Sequence, residues 1–102
     1  MYTRMITTRI KPGGMEGAIA IYEEQIVPVL RKQPGFRGAT LLVNEETATA
    51  VSMTCWATRE QLLASEASGH LQDALSEMAL YLNSTPLNDH YTIRLQVGIP
   101  GQ

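Results

Sequence analysis

Residues 33–58 read QPGFRGATLLVNEETATAVSMTCWAT, and this stretch decides the fold. Pro34-Gly35 closes whatever precedes it, because proline withholds an amide and glycine tolerates a turn. Phe36 to Val43 and Thr47 to Ala57 are two runs of apolar and β-branched residues, a composition that favours strands. Only Asn44-Glu45-Glu46 separates them, so they pair as an antiparallel hairpin. Thr58-Arg59-Glu60-Gln61 then has capping-box spacing, with Thr58 at the N-cap and Gln61 three residues on. The second strand therefore runs straight into a helix.

Upstream of the hairpin, Met15, Ile19, Tyr22, Ile26 and Val29 recur at intervals of four, three, four and three, one face of an α-helix. Glu16, Glu23, Glu24 and Gln25 supply much of the opposite face. Pro28 lies inside the pattern and predicts a kink or early fraying. Arg31 and Lys32 close the helix, where cations complement the negative end of its dipole. Lys11-Pro12-Gly13-Gly14 separates it from Tyr2 to Ile10, a β-branched run read as the first strand.

Downstream, Leu62, Leu63 and Ala67 continue the second helix, and Ser68-Gly69 breaks it. A further helical segment carries Leu71, Leu75, Met78 and Leu82. Asn83 to Asp89 reads as a loop containing Pro86. His90 to Val97 alternates, with Tyr91, Ile93, Leu95 and Val97 on one face and His90, Thr92, Arg94 and Gln96 on the other. Gly98 to Gln102 reads as a loose tail or an arm reaching a partner. The order β-α-β-β-α-β is ferredoxin-like: α+β, a four-stranded antiparallel sheet with helices on one face.

Bulk properties narrow the function. At 102 residues the chain holds one domain. A domain this small buries only about 60–70% of its unfolded surface, so burial against a second subunit would add stability. The net charge is −2, and the eight basic residues form no stripe, which argues against nucleic acid or an anionic membrane as partner. No run approaches the roughly 18–20 apolar residues that span a bilayer. The arginines in Tyr2 to Ile10 break any signal-peptide core, so the expected compartment is the cytoplasm. The single cysteine, Cys55, excludes an internal disulfide and a cysteine-rich zinc site. Without a histidine pair at ligand spacing, no metal is expected. Gly13-Gly14 precedes a helix but lacks the lysine of a phosphate loop.

Three local features combine: a first helix opening after Lys11-Pro12-Gly13, its end in Gln33-Pro34-Gly35-Phe36, and a strand ending Cys55-Trp56-Ala57-Thr58. Together they resemble the antibiotic-biosynthesis-monooxygenase-like family, the dimeric α/β-barrel group, over one domain from about Tyr2 to Val97. The resemblance implies a homodimer whose helix-free sheet faces pack together, with a pocket between each sheet and its own helices. It implies a cofactor-independent monooxygenase, with no bound cofactor, acting on a small aromatic or polyketide-like phenol. The alternative is a non-catalytic module, or one whose activity is lost, that binds a small hydrophobic ligand. Strand parity agrees with cover on both sheet faces: Val51, Met53 and Cys55 alternate with Ser52, Thr54 and Trp56.

In the aromatic-oxidising members the strand-ending tryptophan lines the pocket, and here that is Trp56. Their asparagine four residues earlier is Ser52 here, their tyrosine six residues later is Leu62, and their helical arginine aligns near Gln72. The haem-degrading members carry an asparagine in the first strand, which Tyr2 to Ile10 lacks. Their helical tryptophan falls near Ser65 and their ligating histidine near Leu75.

The pocket candidates are Ser52, Trp56, His70, Arg94 and Tyr22. Trp56 reads first as a core anchor of the strand–helix junction and second as a substrate contact. His70 is most simply a surface residue, with acid/base or ligand work as the alternative. His90 reads as solvent-facing. Arg94, placed mid-strand and partly buried, reads as an ion-pair or hydrogen-bond partner across the sheet or dimer interface, or as a binder of an anionic substrate. Tyr22 reads as core packing with a hydroxyl partner. Cys55 packs as a small apolar group.

Overall fold

The computed structural model describes residues 1–98. Strand β1 (Tyr2–Arg9) leads into a long helical stretch: α1 (Met15–Ile21), a π-helical turn (Tyr22–Ile26) and α2 (Val27–Arg31). The hairpin follows as β2 (Phe36–Asn44) and β3 (Thr49–Trp56), then α3 (Arg59–Ala67), α4 (His70–Met78), a short 3-10 turn (Ala79–Tyr81) and β4 (Leu87–Thr92). The sheet is antiparallel throughout, in the order β2-β3-β1-β4. This is the ferredoxin-like α+β arrangement read from the sequence.

Directly paired residues share a face of an antiparallel sheet. Register pairs Ile6 with Ser52 and Arg4 with Thr54, and on the other side of β1 it pairs Arg4 with His90 and Ile6 with Asn88. These residues lie on the helix side. The opposite face carries Met5, Leu42, Val51, Met53, Cys55, Leu87 and Tyr91, all half-buried or exposed. On the helix side, Tyr22, Ile26, Leu30, Trp56 and Leu62 form the main core, and Ile10, Ala18 and Ala50 a smaller one. Burying each large apolar side chain contributes about 1.5–3 kcal/mol.

The expected kink at Pro28 takes a particular form. Pro28 lies in the first turn of α2, and the five residues before α2 widen into a π turn closed by the Val27 N–H donating to Tyr22 O. An extra residue in that turn relieves the clash of the proline ring with the preceding carbonyl, and it rotates Tyr22 and Ile26 onto the sheet. Two glycines permit close packing. A Cβ on Gly17 would lie 2.5 Å from Tyr81 Cε1, and one on Gly35 (φ +81°) would collide with the Gln61 side chain. The expected cap at Thr58 is present: its hydroxyl accepts from the Gln61 amide at 3.1 Å. The break at Ser68-Gly69 is also present, with Gly69 left-handed at φ +90°.

Two strands depart from the sequence reading by more than one residue. β3 starts at Thr49, because the hairpin loop takes four residues, Asn44 caps it by accepting from Glu46 and Thr47, and Ala48 adopts φ +54°. The last strand is Leu87–Thr92, so the final three residues of the expected loop 83–89 are strand and most of the expected strand 90–97 is not. The cause is β1: Thr92 pairs with Tyr2, and Ile93 donates to Met1, where the neighbour ends. Arg94 is therefore exposed beyond the sheet, not mid-strand and half-buried. Leu95 and Val97 are 83% and 82% exposed. Residues 99–102, most of the expected tail, lie outside the described residues. No helix among the described residues is long and apolar enough to cross a membrane.

Candidate functional site

A cavity with about 610 Å³ of atom-free space, part of it open to solvent, lies between the sheet and the helices. Its wall is mostly apolar, built from Ile6, Ile26, Leu30, Leu71, Leu75 and Met78. The polar groups on it are few: Arg4 and Thr8 from β1, Ser52 and Thr54 from β3, Tyr22 from the π turn and His70 from the start of α4. An apolar pocket with a few convergent polar groups is the usual form of a small-molecule site.

Arg4 is 2% exposed. Its Nη1 donates to Ser65 Oγ at 2.9 Å and lies 3.4 Å from Glu66 Oε2. Its Cζ stands 5.2 Å from the Trp56 ring centre, a cation–π contact. Burial lowers the guanidinium pKa, and the charge and hydrogen bond of Glu66 partly offset that; an arginine stays charged nonetheless. The other two nitrogens, Nε and Nη2, have no protein partner among the described residues. The cavity wall thus holds a fixed cation with donors to spare.

Glu66 is shared three ways. Its Oε2 takes His90 Nε2 at 2.7 Å, Asn88 Nδ2 at 3.2 Å and Arg4 Nη1 at 3.4 Å. Burial would raise this carboxyl, but hydrogen bonds from Asn88 and His90, and the charges of His90 and Arg4, hold it below the ordinary carboxylate range. One carboxylate divided among three donors leaves Arg4 incompletely neutralised.

The Tyr22 hydroxyl and Ser52 Oγ are 2.7 Å apart. Burial raises the Tyr22 pKa, against the opposing effects of Ser52 and Arg4, so the phenol stays protonated and able to donate. His70 is 8% exposed, which corrects the expectation of a surface residue. Its ring lies 6.3 Å from Trp56, and Nε2 is buried with no hydrogen-bond partner among the described residues. Burial lowers its pKa, as does Arg4, with Glu66 and Asp73 opposing.

Trp56 is 0% exposed and stands behind the cavity wall. Its indole donates to Thr54 Oγ1 at 3.0 Å, Phe36 meets it edge-on at 5.7 Å, and Arg4 and His70 flank it. The structure thus brings Tyr22, Ser52 and His70 to the cavity, puts Trp56 directly behind it and leaves Arg94 away from it. Sequence reasoning passed over Arg4, treating it as one of the scattered cations. The signal was parity: Arg4 shares a strand face with Ile6 and Ile10, and a cation there is buried. No cluster of three metal-ligating side chains occurs among the described residues.

A ferredoxin-like sheet with an apolar cavity beneath its helices defines the class: a small α+β domain with a partly enclosed space between its two layers. The sequence model described as "Antibiotic biosynthesis monooxygenase" matches residues 1–77, and the chain belongs to that family. Solved structures agree on the fold. An antibiotic biosynthesis monooxygenase homologue from Nitrosomonas europaea matches with a TM-score of 0.77 at 14% identity, covering 93% of this chain and 100% of that one. SnoaB, a cofactor-independent oxygenase from Streptomyces nogalater, matches at 0.72 and 17% identity, covering 94% and 95%. A monooxygenase of Streptomyces coelicolor, in complex with nanaomycin D, matches at 0.73 and 19%, covering 96% and 91%. Among curated protein sequences nothing matches.

Proposed function

We propose that this chain is a cofactor-independent monooxygenase acting on a small aromatic or polyketide-like phenol. The observation that carries the reading is Arg4: a buried, under-neutralised cation on the wall of an otherwise apolar cavity. Such a group stabilises an anion whose remaining surface is hydrophobic, as in an aryl oxide. Tyr22, held by Ser52, adds a neutral donor. Electrons delocalised from the oxide into the ring then react with dioxygen. One oxygen atom enters the ring, the other leaves as water, and the substrate supplies all four electrons as it passes from phenol to quinone. The domain for this activity is residues 2–97, and its compartment is the cytoplasm.

The acting unit in this proposal is a homodimer. The uncovered apolar sheet face and the exposed Leu95 and Val97 support it, because surfaces of this kind are normally buried by a partner. Light scattering on a sizing column should return twice the 11.2 kDa chain mass; a monomer mass would refute this part. Oxygen consumption with a panel of electron-rich phenols tests the activity. Uptake matched one-to-one by quinone supports it. Saturable binding with no uptake across the panel favours the non-catalytic binding module instead.

A further inference from the structure

We propose that His70 takes the hydroxyl proton of the cavity ligand at Nε2 and passes a proton on, from Nδ1, to a second cleft on the outer side of the helices. The proposal deepens the phenol reading above and rests on it.

The first ground is the state of the ring. His70 is more than nine-tenths buried, its Nε2 is sealed from solvent, and no described residue satisfies it. A buried polar atom without a partner carries a desolvation penalty that a merely structural residue has no reason to bear. A ligand hydroxyl in the adjacent cavity would remove it.

The second ground is position. Beyond the inner cavity lies an outer cleft lined by Gln25, Val29, Asp73 and Glu77. Three residues line both spaces, Ile26, Ala74 and His70, and His70 is the polar one. An imidazole that lines both spaces, with a ring nitrogen able to accept and another able to donate, can carry a proton between a mostly apolar cavity and an acidic cleft.

The third ground is charge. The groups facing His70 are Arg4 from β1, Glu66 from α3 and Asp73 from its own helix, with Glu77 further along the outer cleft. His70 also stands as the first residue of α4, at the positive end of the helix dipole. Burial, Arg4 and the dipole all oppose an imidazolium, so at neutral pH the ring has a free lone pair.

In the step itself the ligand O–H bond breaks and its electron pair stays on oxygen, facing Arg4. A new N–H bond forms at Nε2. Nδ1 releases its proton to water in the outer cleft, which returns the ring to neutrality. No oxidant enters this step; dioxygen reacts only afterwards.

The test uses the full chain, without oxygen, and 2-naphthol, whose neutral and anionic forms differ in absorption. Trp56 emission reports binding independently. Wild type should bind the probe near neutral pH as the anion, while His70→Gln binds it in the neutral form and, in air, turns over phenols about 100-fold more slowly. Nitrogen-15 spectra of wild type supply a measurement that needs no variant: the His70 imidazole should change its protonation or tautomer on binding. Equal ionisation in both proteins, or imidazole signals unmoved by ligand, overturns the role of His70 and leaves the phenol reading standing. If wild type binds no phenol at all, the phenol reading falls and takes this inference with it.

Discussion

Replacing Arg4 by methionine separates a binding role from a structural one. Methionine keeps the length of the side chain and its contact with the Trp56 ring, while the charge goes. The neighbours are not orphaned: Ser65 Oγ still donates to Leu62 O at 2.7 Å, and Glu66 keeps Asn88 and His90. A cation–π contact of about 1–2 kcal/mol is lost and a sulfur–aromatic contact of about 0.3–1.5 kcal/mol replaces much of it. Exchanging a buried ion pair for an apolar side chain is commonly neutral or stabilising. The net change in stability should stay within about 1.5 kcal/mol, which moves Tm by less than about 10 °C. Anion binding should suffer far more. One charge-assisted hydrogen bond is worth about 1.5–3 kcal/mol, a loss of about 10- to 150-fold in affinity. The assay is Trp56 emission during titration with naphtholate and, as a neutral control, naphthalene. Naphtholate binding should fall and naphthalene binding should hold. Equal loss for both ligands, or a collapse in Tm with the preference intact, would refute the reasoning.

The remaining predictions concern the frame around the site. Gly35→Ala forces a left-handed alanine and pushes aside Gln61, so it should cost about 2–3 kcal/mol and lower Tm by about 10–20 °C in a thermal melt; an unchanged Tm would mean the turn relaxes freely. Acid should destabilise the fold in two stages. The folded His70 pKa lies below its ordinary 6.5, so the unfolded chain binds that proton first and stability falls as pH drops below 6.5. The folded Glu66 pKa lies below 4.5, so its contribution, present above that value, is lost as pH falls further. His70→Gln should remove the first stage and leave the second, as read from Tm between pH 7 and 4; an identical profile in both proteins would sink the assignment.

Much of the fold is local chemistry and was legible as such. Intervals of three and four from Met15 to Val29 mark a helix with one apolar face. Thr58 and Gln61 cap the next helix within four residues, and Gly69 breaks it because it supplies a left-handed turn. Pro34-Gly35 needs no distant partner to end a helix. The sequence also held one overlooked sign, since Arg4 sits on the core parity of β1.

Long-range pairing decided the rest. The alternation in His90 to Val97 favours a strand, but a strand needs a neighbour, and β1 ends opposite Thr92. Leu87, Asn88 and Asp89 are poor strand formers that pair because β1 offers them an edge. The bond from Arg4 to Ser65 spans 61 residues and that from Tyr22 to Ser52 spans 30, beyond any periodicity. Nothing near His70 in the chain says that its Nε2 is buried without a partner, or that the residue lines two separate spaces. The sequence by itself determined the order of elements, their caps and their apolar faces, because those follow from interactions a few residues apart. Only the tertiary structure decided which polar side chains are stranded on the cavity wall, because burial and partnership depend on what the rest of the chain brings to each place.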